Sequence, residues 1–229
     1  MSYIDMYKSR LNASGGNLGE SIINSTKQTV KNNFNLSPFS ESVLIDDVEF
    51  KAVITQGDKS KNKTLLLQPD TVIAIGSNVK VSNNNYLVMD FRGEGINEVY
   101  PTASLEICNS FFPAITDKTR VLKRDANGQV VKDKFGDPVY IWTGGEIFNV
   151  PCIVESSIKD KESNNQLNLP DGRLKVSMKY QPIANVKLNE TFKMYDNTYK
   201  ITHIDLTQVI NSVGIMVVTA DIVPSEVIS

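Results

Sequence analysis

Two stretches of this chain read alike, and that echo constrains the fold more than any single motif. The first runs Phe50-Lys-Ala-Val53, then polar Asp58-Lys-Ser-Lys-Asn62, then Leu65-Leu-Leu67-Gln-Pro69-Asp70, and later Asn84-Asn85-Tyr86-Leu-Val88. The second runs Cys152-Ile-Val154, then Asp160-Lys-Glu-Ser-Asn164, then Leu167-Asn-Leu169-Pro170-Asp171, and later Asn197-Thr-Tyr199-Lys-Ile201. Asp58, Lys59, Asn62, Leu65 and Leu67 align without a gap on Asp160, Lys161, Asn164, Leu167 and Leu169. The Pro-Asp pair needs a one-residue slip, and the second copy carries extra residues before its Tyr. Two polar-loop-and-strand units also look alike by chance, so coincidence and duplication both stay open. Duplication would make the chain two similar small β modules, which suits a building block better than a catalyst.

Composition fits that reading. A chain of 229 residues can bury one large β core or two small ones. Apolar residues at 41% and charged residues at 22% exclude wholesale disorder. A net charge of −2 sets up no global field toward nucleic acid or an anionic membrane. Cys108 and Cys152 lie in apolar, strand-like contexts and read as buried thiols; a disulfide between them stays open. No apolar signal core opens the sequence, and the apolar run at 213–220 is too short to span a bilayer. A soluble chain made in a cytoplasm is expected, so the Asn-x-Ser/Thr triplets at Asn12, Asn62 and Asn189 need no glycosylation reading.

The first 36 residues differ from the rest. Leu18, Ile22, Thr26 and Val30 recur every fourth residue, with Ile23 and Phe34 beside them, which predicts a helix with one apolar stripe. Ser37-Pro38 ends it, and Ser14-Gly15-Gly16 separates it from a short turn around Tyr3 to Tyr7. Such a helix packs on its own domain or on a neighbouring subunit. Strands are expected from Val43 onward, at 48–54, 71–75, 86–91 and 105–108 in a first module. Residues 113–146 read as an inserted hairpin, with Asn127-Gly128 in a turn that needs positive φ. A second module follows, with Ile153-Val154 as an edge or first strand and strict alternation over 174–180. The expected organisation is therefore a helical segment (1–36), a first β module (44–112), a hairpin insert (113–146), a second β module (147–224) and a tail (225–229). The fold class is mainly β: two small antiparallel barrel or sandwich modules.

The search for chemistry finds no catalytic, cofactor-binding or metal-binding set. One histidine, His203, leaves no multi-histidine metal site, and it sits in a strand, where a structural or edge position is expected. Nothing local pairs it with Cys108 or Cys152 as nucleophile and base. Gly15-Gly16-Asn17-Leu18-Gly19-Glu20-Ser21 departs from a phosphate loop, because Glu20 stands where the lysine belongs. Asp125, Asn127 and Asp133 lack the spacing and the closing Glu of a calcium loop. The lysines and aromatics show no stacking platform beside a basic groove. No enzyme is expected.

The second module carries a family resemblance. Val176-Ser-Met-Lys179-Tyr180, Leu188-Asn-Glu-Thr-Phe192, Asp196-Asn-Thr-Tyr199-Lys-Ile201-Thr-His-Ile204 and Ile215-Met-Val-Val218 resemble the small β-barrel head–tail joining proteins of tailed bacteriophages. The first module, with Leu65 to Asp70, Gly76, Tyr86-Leu-Val88 and Leu105-Glu-Ile-Cys-Asn109, is similar to the same head-closure, stopper and neck proteins. Those are shorter chains of a single module. The resemblance implies a non-enzymatic virion protein without cofactor, made in a host bacterial cytoplasm and built into the neck. It implies a hexameric or dodecameric ring around the DNA channel, with portal or adaptor proteins on one side, tail proteins on the other, non-specific contact with packaged double-stranded DNA, and no membrane. Such a ring needs heterologous side contacts that close. The candidate lumen loop is 56–64, with Lys59, Lys61 and Lys63 facing phosphate; the second lumen or docking loop is 155–166, with Lys159, Lys161 and Asn164. Ile22 and Val30 on the helix, and Asn127 and Tyr140 on the hairpin, are the candidate subunit contacts. A tail-completion, tail-tube or baseplate protein, and more distantly a carbohydrate- or cell-surface-binding module, are the alternatives.

Overall fold

The computed structural model describes residues 3, 4, 7, 15–57, 61–159, 166–168 and 172–224. Lys59, Lys161, Asn164, Leu169, much of the turn expected around Tyr3 to Tyr7 and the 225–229 tail lie outside the described residues. The chain divides into two units, Met1–Cys108 and Asn109–Ser229.

The first unit opens with helix α1 (Leu18–Leu36). Asn17 caps it: its Oδ1 accepts from the Glu20 amide at 2.9 Å, while the Glu20 carboxylate accepts from the Gly16 amide at 2.7 Å. Glu20 is thus half of a reciprocal capping pair. Six antiparallel strands follow: β1 (Ser40–Ile45), β2 (Val48–Gln56), β3 (Asn62–Leu67), β4 (Asn78–Val81), β5 (Asn84–Arg92) and β6 (Thr102–Ile107). They close into a barrel in the order β1-β2-β3-β6-β5-β4, with Leu44↔Lys80 and Ile45↔Val79 completing the ring. Alternation supplies the core, since Val43 and Ile45, Leu65 and Leu67, Val79 and Val81, and Ala103 and Leu105 are all buried. Residues 71–75 do not form the expected strand. After Pro69 the chain turns at Asp70 (φ 65°), crosses with Ile73 as its buried apolar side chain and re-enters at β4.

Helix α1 packs on its own unit. Val30 and Phe34 are buried, Lys27 Nζ reaches Asp70 at 2.7 Å and Glu98 at 2.9 Å, and Asn35 Oδ1 accepts from Gln68 Nε2 at 2.8 Å. The other end of the stripe, Leu18, Ile22 and Ile23, stays exposed.

The second unit contains β7 (Ser110–Ile115), β8 (Thr119–Leu122), β9 (Tyr140–Thr143), β10 (Ile147–Glu155), β11 (Ser157–Lys159), β12 (Gln166–Asn168), β13 (Arg173–Lys179), β14 (Thr191–Met194), β15 (Asn197–Ile210) and β16 (Val213–Ile222). Six of these form an antiparallel sheet in the order β14-β15-β16-β13-β10-β7, and β8–β9 and β11–β12 form two separate ribbons. The sheet curls so that its outer strands meet. The Phe112 ring in β7 lies 4.8 Å from that of Phe192 in β14, which stacks on Tyr199 at 5.8 Å. Asn185, just ahead of β14, lines the free edge of β7: its side chain accepts from the Ile115 amide and donates to the Pro113 carbonyl, both at 2.9 Å. Pro113 has no amide to offer and is tolerated because β7 is an outer strand.

The two units repeat one plan. Taken in chain order, both sheets run first, second, third, sixth, fifth, fourth, and in both the fourth strand returns to the first. Registers agree in detail: Ala52↔Leu67 and Ile54↔Leu65 correspond to Cys152↔Met178 and Val154↔Val176, and Val79↔Tyr86 to Phe192↔Tyr199. Each fifth strand carries an irregularity at the same place, after Val88 in one and after Ile201 in the other, and β15 adds a second between Asp205 and Gln208. Each of those residues exchanges two backbone hydrogen bonds with the segment entering the fourth strand, Gly76–Ser77 in one unit and Asn189–Glu190 in the other. Gly76 (φ 86°) and Asn189 (φ 69°) share a left-handed conformation, which Asn adopts more readily than other non-glycine residues.

Several expectations are corrected here. The counterparts of Leu65 and Leu67 are Val176 and Met178; Leu167 belongs to β12, which pairs with β11. The extra residues of the second copy lie mainly ahead of β13. The module boundary at 112 falls inside β7, whose Phe112 is core to the second unit, because Pro113 disguises an edge strand. Ile153 and Val154 lie in a strand paired on both sides, so β10 is no edge. Cys152 is buried, whereas Cys108 is only half-buried, and no disulfide joins them.

Two outcomes test this architecture. Phe192→Ala removes the ring that joins the outer strands and should cost the second unit about 3–5 kcal/mol. Hydrogen exchange should then quicken in β7 and β13–β16 while β1–β6 keep their protection. Lys27 is held above the usual lysine range by its hydrogen bonds to Asp70 and Glu98. A raised pKa gives stability that is present below the unfolded value of about 10.4 and is lost as pH climbs through the folded one. The melting temperature should therefore fall more steeply above about pH 10.5 in the parent than in Lys27→Met, a contrast of up to about 1 kcal/mol.

Candidate interaction surface

The two described lysines of the first expected lumen loop, Lys61 and Lys63, have different surroundings. Strand β3 begins at Asn62, so the first loop is shorter than 56–64. Lys61 is exposed at its end. Lys63 lies on the same side of β3 as Leu65 and Leu67, with its ammonium 5.5 Å from the Tyr86 ring centroid, so it caps the barrel interior. Lys159 ends β11, so the second loop carries a ribbon. Val30 is covered by its own unit, whereas Ile22 is 56% exposed. Among the described residues, no three of His, Cys, Asp and Glu gather as a metal ion requires, and no helix is long and apolar enough to cross a membrane.

Asn127 and Tyr140 fall together on the feature that most distinguishes the two units. Where the first unit joins its first two strands by the tight turn Asp46-Asp47 (φ 48° and 67°), the second inserts residues 116–146 between β7 and β10. At the root, the Thr116 and Glu146 backbones are hydrogen-bonded. Gly144 and Gly145 follow with φ of 90° and 79°, and a Cβ at Gly144 would strike the Asp117 carbonyl. The insert then folds on itself as an arm.

The arm contains a short repeat of its own. Arg124-Asp125-Ala-Asn127-Gly128-Gln-Val-Val131 is followed at once by Lys132-Asp133-Lys-Phe135-Gly136-Asp-Pro-Val139. Each copy is a hairpin with a three-residue loop and a left-handed glycine, Gly128 (φ 79°) and Gly136 (φ 88°). In the first, Asp125 Oδ1 accepts from the amides of Asn127 and Gln129; in the second, Asp133 Oδ1 accepts from those of Phe135 and Asp137. The copies join in a ring of three hydrogen bonds: Lys123 donates to Val139, Val139 to Val131 and Val131 to Lys123, at 2.8–2.9 Å. The recurring Arg/Lys-Asp-x-x-Gly spacing was a usable signal. It explains the acidic residues as turn formers and assigns Asn127 a backbone role.

The base of the arm is the β8–β9 ribbon, exposed throughout. Its pairs Arg120↔Trp142 and Leu122↔Tyr140 put four side chains on one face. The Arg120 guanidinium lies 4.1 Å from the Tyr140 ring centroid, and Trp142 beside it is 70% exposed. Phe135 is 78% exposed at the far hairpin. The fold thus assembles an aromatic–guanidinium platform from residues that sequence spacing did not connect. Across residues 116–146 there are six cations and five carboxylates, a small positive surplus on a chain of net negative charge.

Comparison with known proteins divides the chain in the same way. Residues 8–107 match the family model described as the YomX N-terminal domain, and residues 109–221 the model described as the YomX C-terminal domain. The chain is 28% identical over 180 residues to the SPβ prophage-derived uncharacterized protein YomX of Bacillus subtilis (strain 168), covering 76% of this chain and 79% of that one. Among solved structures, the crystal structure of MrkH from K. pneumonia aligns over 88% of this chain and 84% of its own, at 7% identity and a TM-score of 0.21, a value too low to indicate a common fold.

Removing either turn aspartate tests the arm. Asp125→Ala and Asp133→Ala each strip an acceptor from two amides and should cost about 1 kcal/mol of local stability. Amide exchange should quicken within residues 123–139 while β10 and β13 are unchanged. Loss of protection throughout the second unit would mean that the arm holds the sheet together.

Proposed function

We propose, for a chain that belongs with the two-domain YomX proteins, a structural and non-enzymatic role in a tailed-phage particle, at the head–tail neck. The observation that carries this reading is the relation to a prophage-derived protein over three quarters of the chain. The repeated barrel-like plan supports it, since two compact modules, one of them carrying a long exposed arm, suit a structural subunit with a reaching contact. A ring follows from copies that meet through unlike surfaces and close by rotation, in six or twelve copies by the joining-protein resemblance. In that ring, portal or adaptor proteins meet one side and tail proteins the other. The β2–β3 connection, the β10–β13 connection and Lys61 are the segments offered to packaged DNA.

A second reading, a tail-tube or baseplate component, uses the same subunit at another level of the particle. The exposed Trp142 and Tyr140 also give carbohydrate binding a foothold, because stacked aromatics suit sugar rings. Imaging particles from an induced lysogen, with mass spectrometry of the purified virions, separates these readings. Ring density for this chain between portal and tail is the expected result. Density in the tube or baseplate moves the function there, and a chain missing from the particles overturns the virion role.

A further inference from the structure

The first hairpins of the two units occupy the same place in the shared plan and carry opposite chemistry. In the second unit that hairpin is extended into the cationic, aromatic arm. In the first it is the short β1–β2 hairpin, where residues 39–56 hold Glu41, Asp46, Asp47 and Glu49 against a single lysine, Lys51. Leu44, Val48 and Phe39 are exposed among these acids, at 39%, 57% and 75%. Against this hairpin lies a cavity of about 240 Å³ lined by Ser42, Val43, Leu44, Glu49, Lys80 and Ser82. Sites for small molecules begin near 300 Å³, so this depression suits a single side chain better than a free ligand. Its polar lining is one carboxylate, one ammonium and two hydroxyls around an aliphatic floor.

We propose that the arm of one copy docks on the β1–β2 hairpin of a second copy, with Trp142 entering the depression over Leu44 and Arg120 pairing with Glu49. Three observations select a second copy as occupant. The charges are complementary, a surplus of one positive charge on the arm against four carboxylates and one lysine on the hairpin. The platform is made of Trp, Tyr and Arg, the residues that dominate binding energy at protein interfaces. The receiving depression has the size of one side chain, with Glu49 on its lining to meet a guanidinium. A nucleic-acid partner fits less well, because Asp117, Asp125, Asp133 and Asp137 interrupt the arm's cations where a phosphate chain would need continuous positive charge.

The contact joins unlike surfaces, the second unit of one copy and the first unit of the next. It therefore propagates head to tail and closes if the rotation allows. The inference rests on the ring reading, for which it names the side contact.

Sedimentation of the purified full chain across a concentration series tests it. The parent should gain mass with concentration, and Trp142→Ala should weaken association at least tenfold. Arg120→Glu and Glu49→Arg should each weaken it about tenfold, as loss of about 1.4 kcal/mol implies, and the two combined should recover most of it. All of these positions are solvent-facing, and unchanged circular dichroism verifies each fold. A parent that stays monomeric at its highest soluble concentration overturns the proposal. So do variants that associate as the parent does, or a double variant as weak as the singles. The virion experiment reports separately: a chain present as a neck ring whose assembly ignores Glu49→Arg leaves the neck reading standing and removes this contact. A chain that self-associates through these residues but is missing from virions does the reverse.

Discussion

Both units depend on a sheet that returns to its own first strand. In the first unit the return takes two residue pairs, Leu44↔Lys80 and Ile45↔Val79, helped by the Asp46 amide donating to Asn78 at 2.9 Å. In the second it takes a ring contact and one asparagine, Phe112 on Phe192 and Asn185 along the β7 edge. In the first unit the strands close, so alternate residues face a sealed interior and no outer edge invites pairing; in the second, Asn185 covers the β7 edge that the ring contact leaves unpaired. Everything outside the ring of strands is then free to vary in length, because a surface loop adds little closure entropy as it grows. That is why a two-residue turn in one unit and the arm of 116–146 in the other can occupy the same position.

The duplication was legible in the sequence at its ends and obscured in its middle. Tyr86 and Tyr199 are true counterparts, each a buried aromatic just after the tight turn between the fourth and fifth strands, whereas Ala52 and Cys152 correspond only through strand register. The aligned Leu65 and Leu167 are not counterparts. The β11–β12 ribbon happens to repeat the polar-loop-and-leucine pattern of the first unit, while the real partner strand, β13, comes later and uses Val176 and Met178. β7 was missed because Pro113 argues against a strand unless its edge location is known. The arm's platform could not be read from sequence, since Arg120 and Tyr140 meet only through the pairing of β8 with β9. The arm's own repeat could have been, from the spacing of Asp125 and Gly128 against Asp133 and Gly136.

Shared plan and separate ornament divide the work of the molecule. The core positions of the two units obey the same geometry, so they speak to stability and little else. What differs lies at the tips: the capped helix packed on the first barrel, the β11–β12 ribbon, and above all the cationic arm set against an acidic counterpart. The one fixed cation at the helix, Lys27 between Asp70 and Glu98, ties an appended element to its barrel without entering the core.

Equal registers in tandem carry a hazard, because a strand of one unit can in principle enter the other while the chain is being made, and misassembly of that sort is typical of repeated domains. The residues that close each sheet guard against it. Val43 and Val79 stand where the second unit has Phe112 and Phe192, so a β14 strand misplaced in the first barrel brings a benzyl group into space shaped for an isopropyl group. The reverse exchange leaves a void where two rings should touch. Overfilling and cavities are both penalised in a close-packed interior, and the mismatch in side-chain volume thereby acts as a lock that lets each half recognise its own strands.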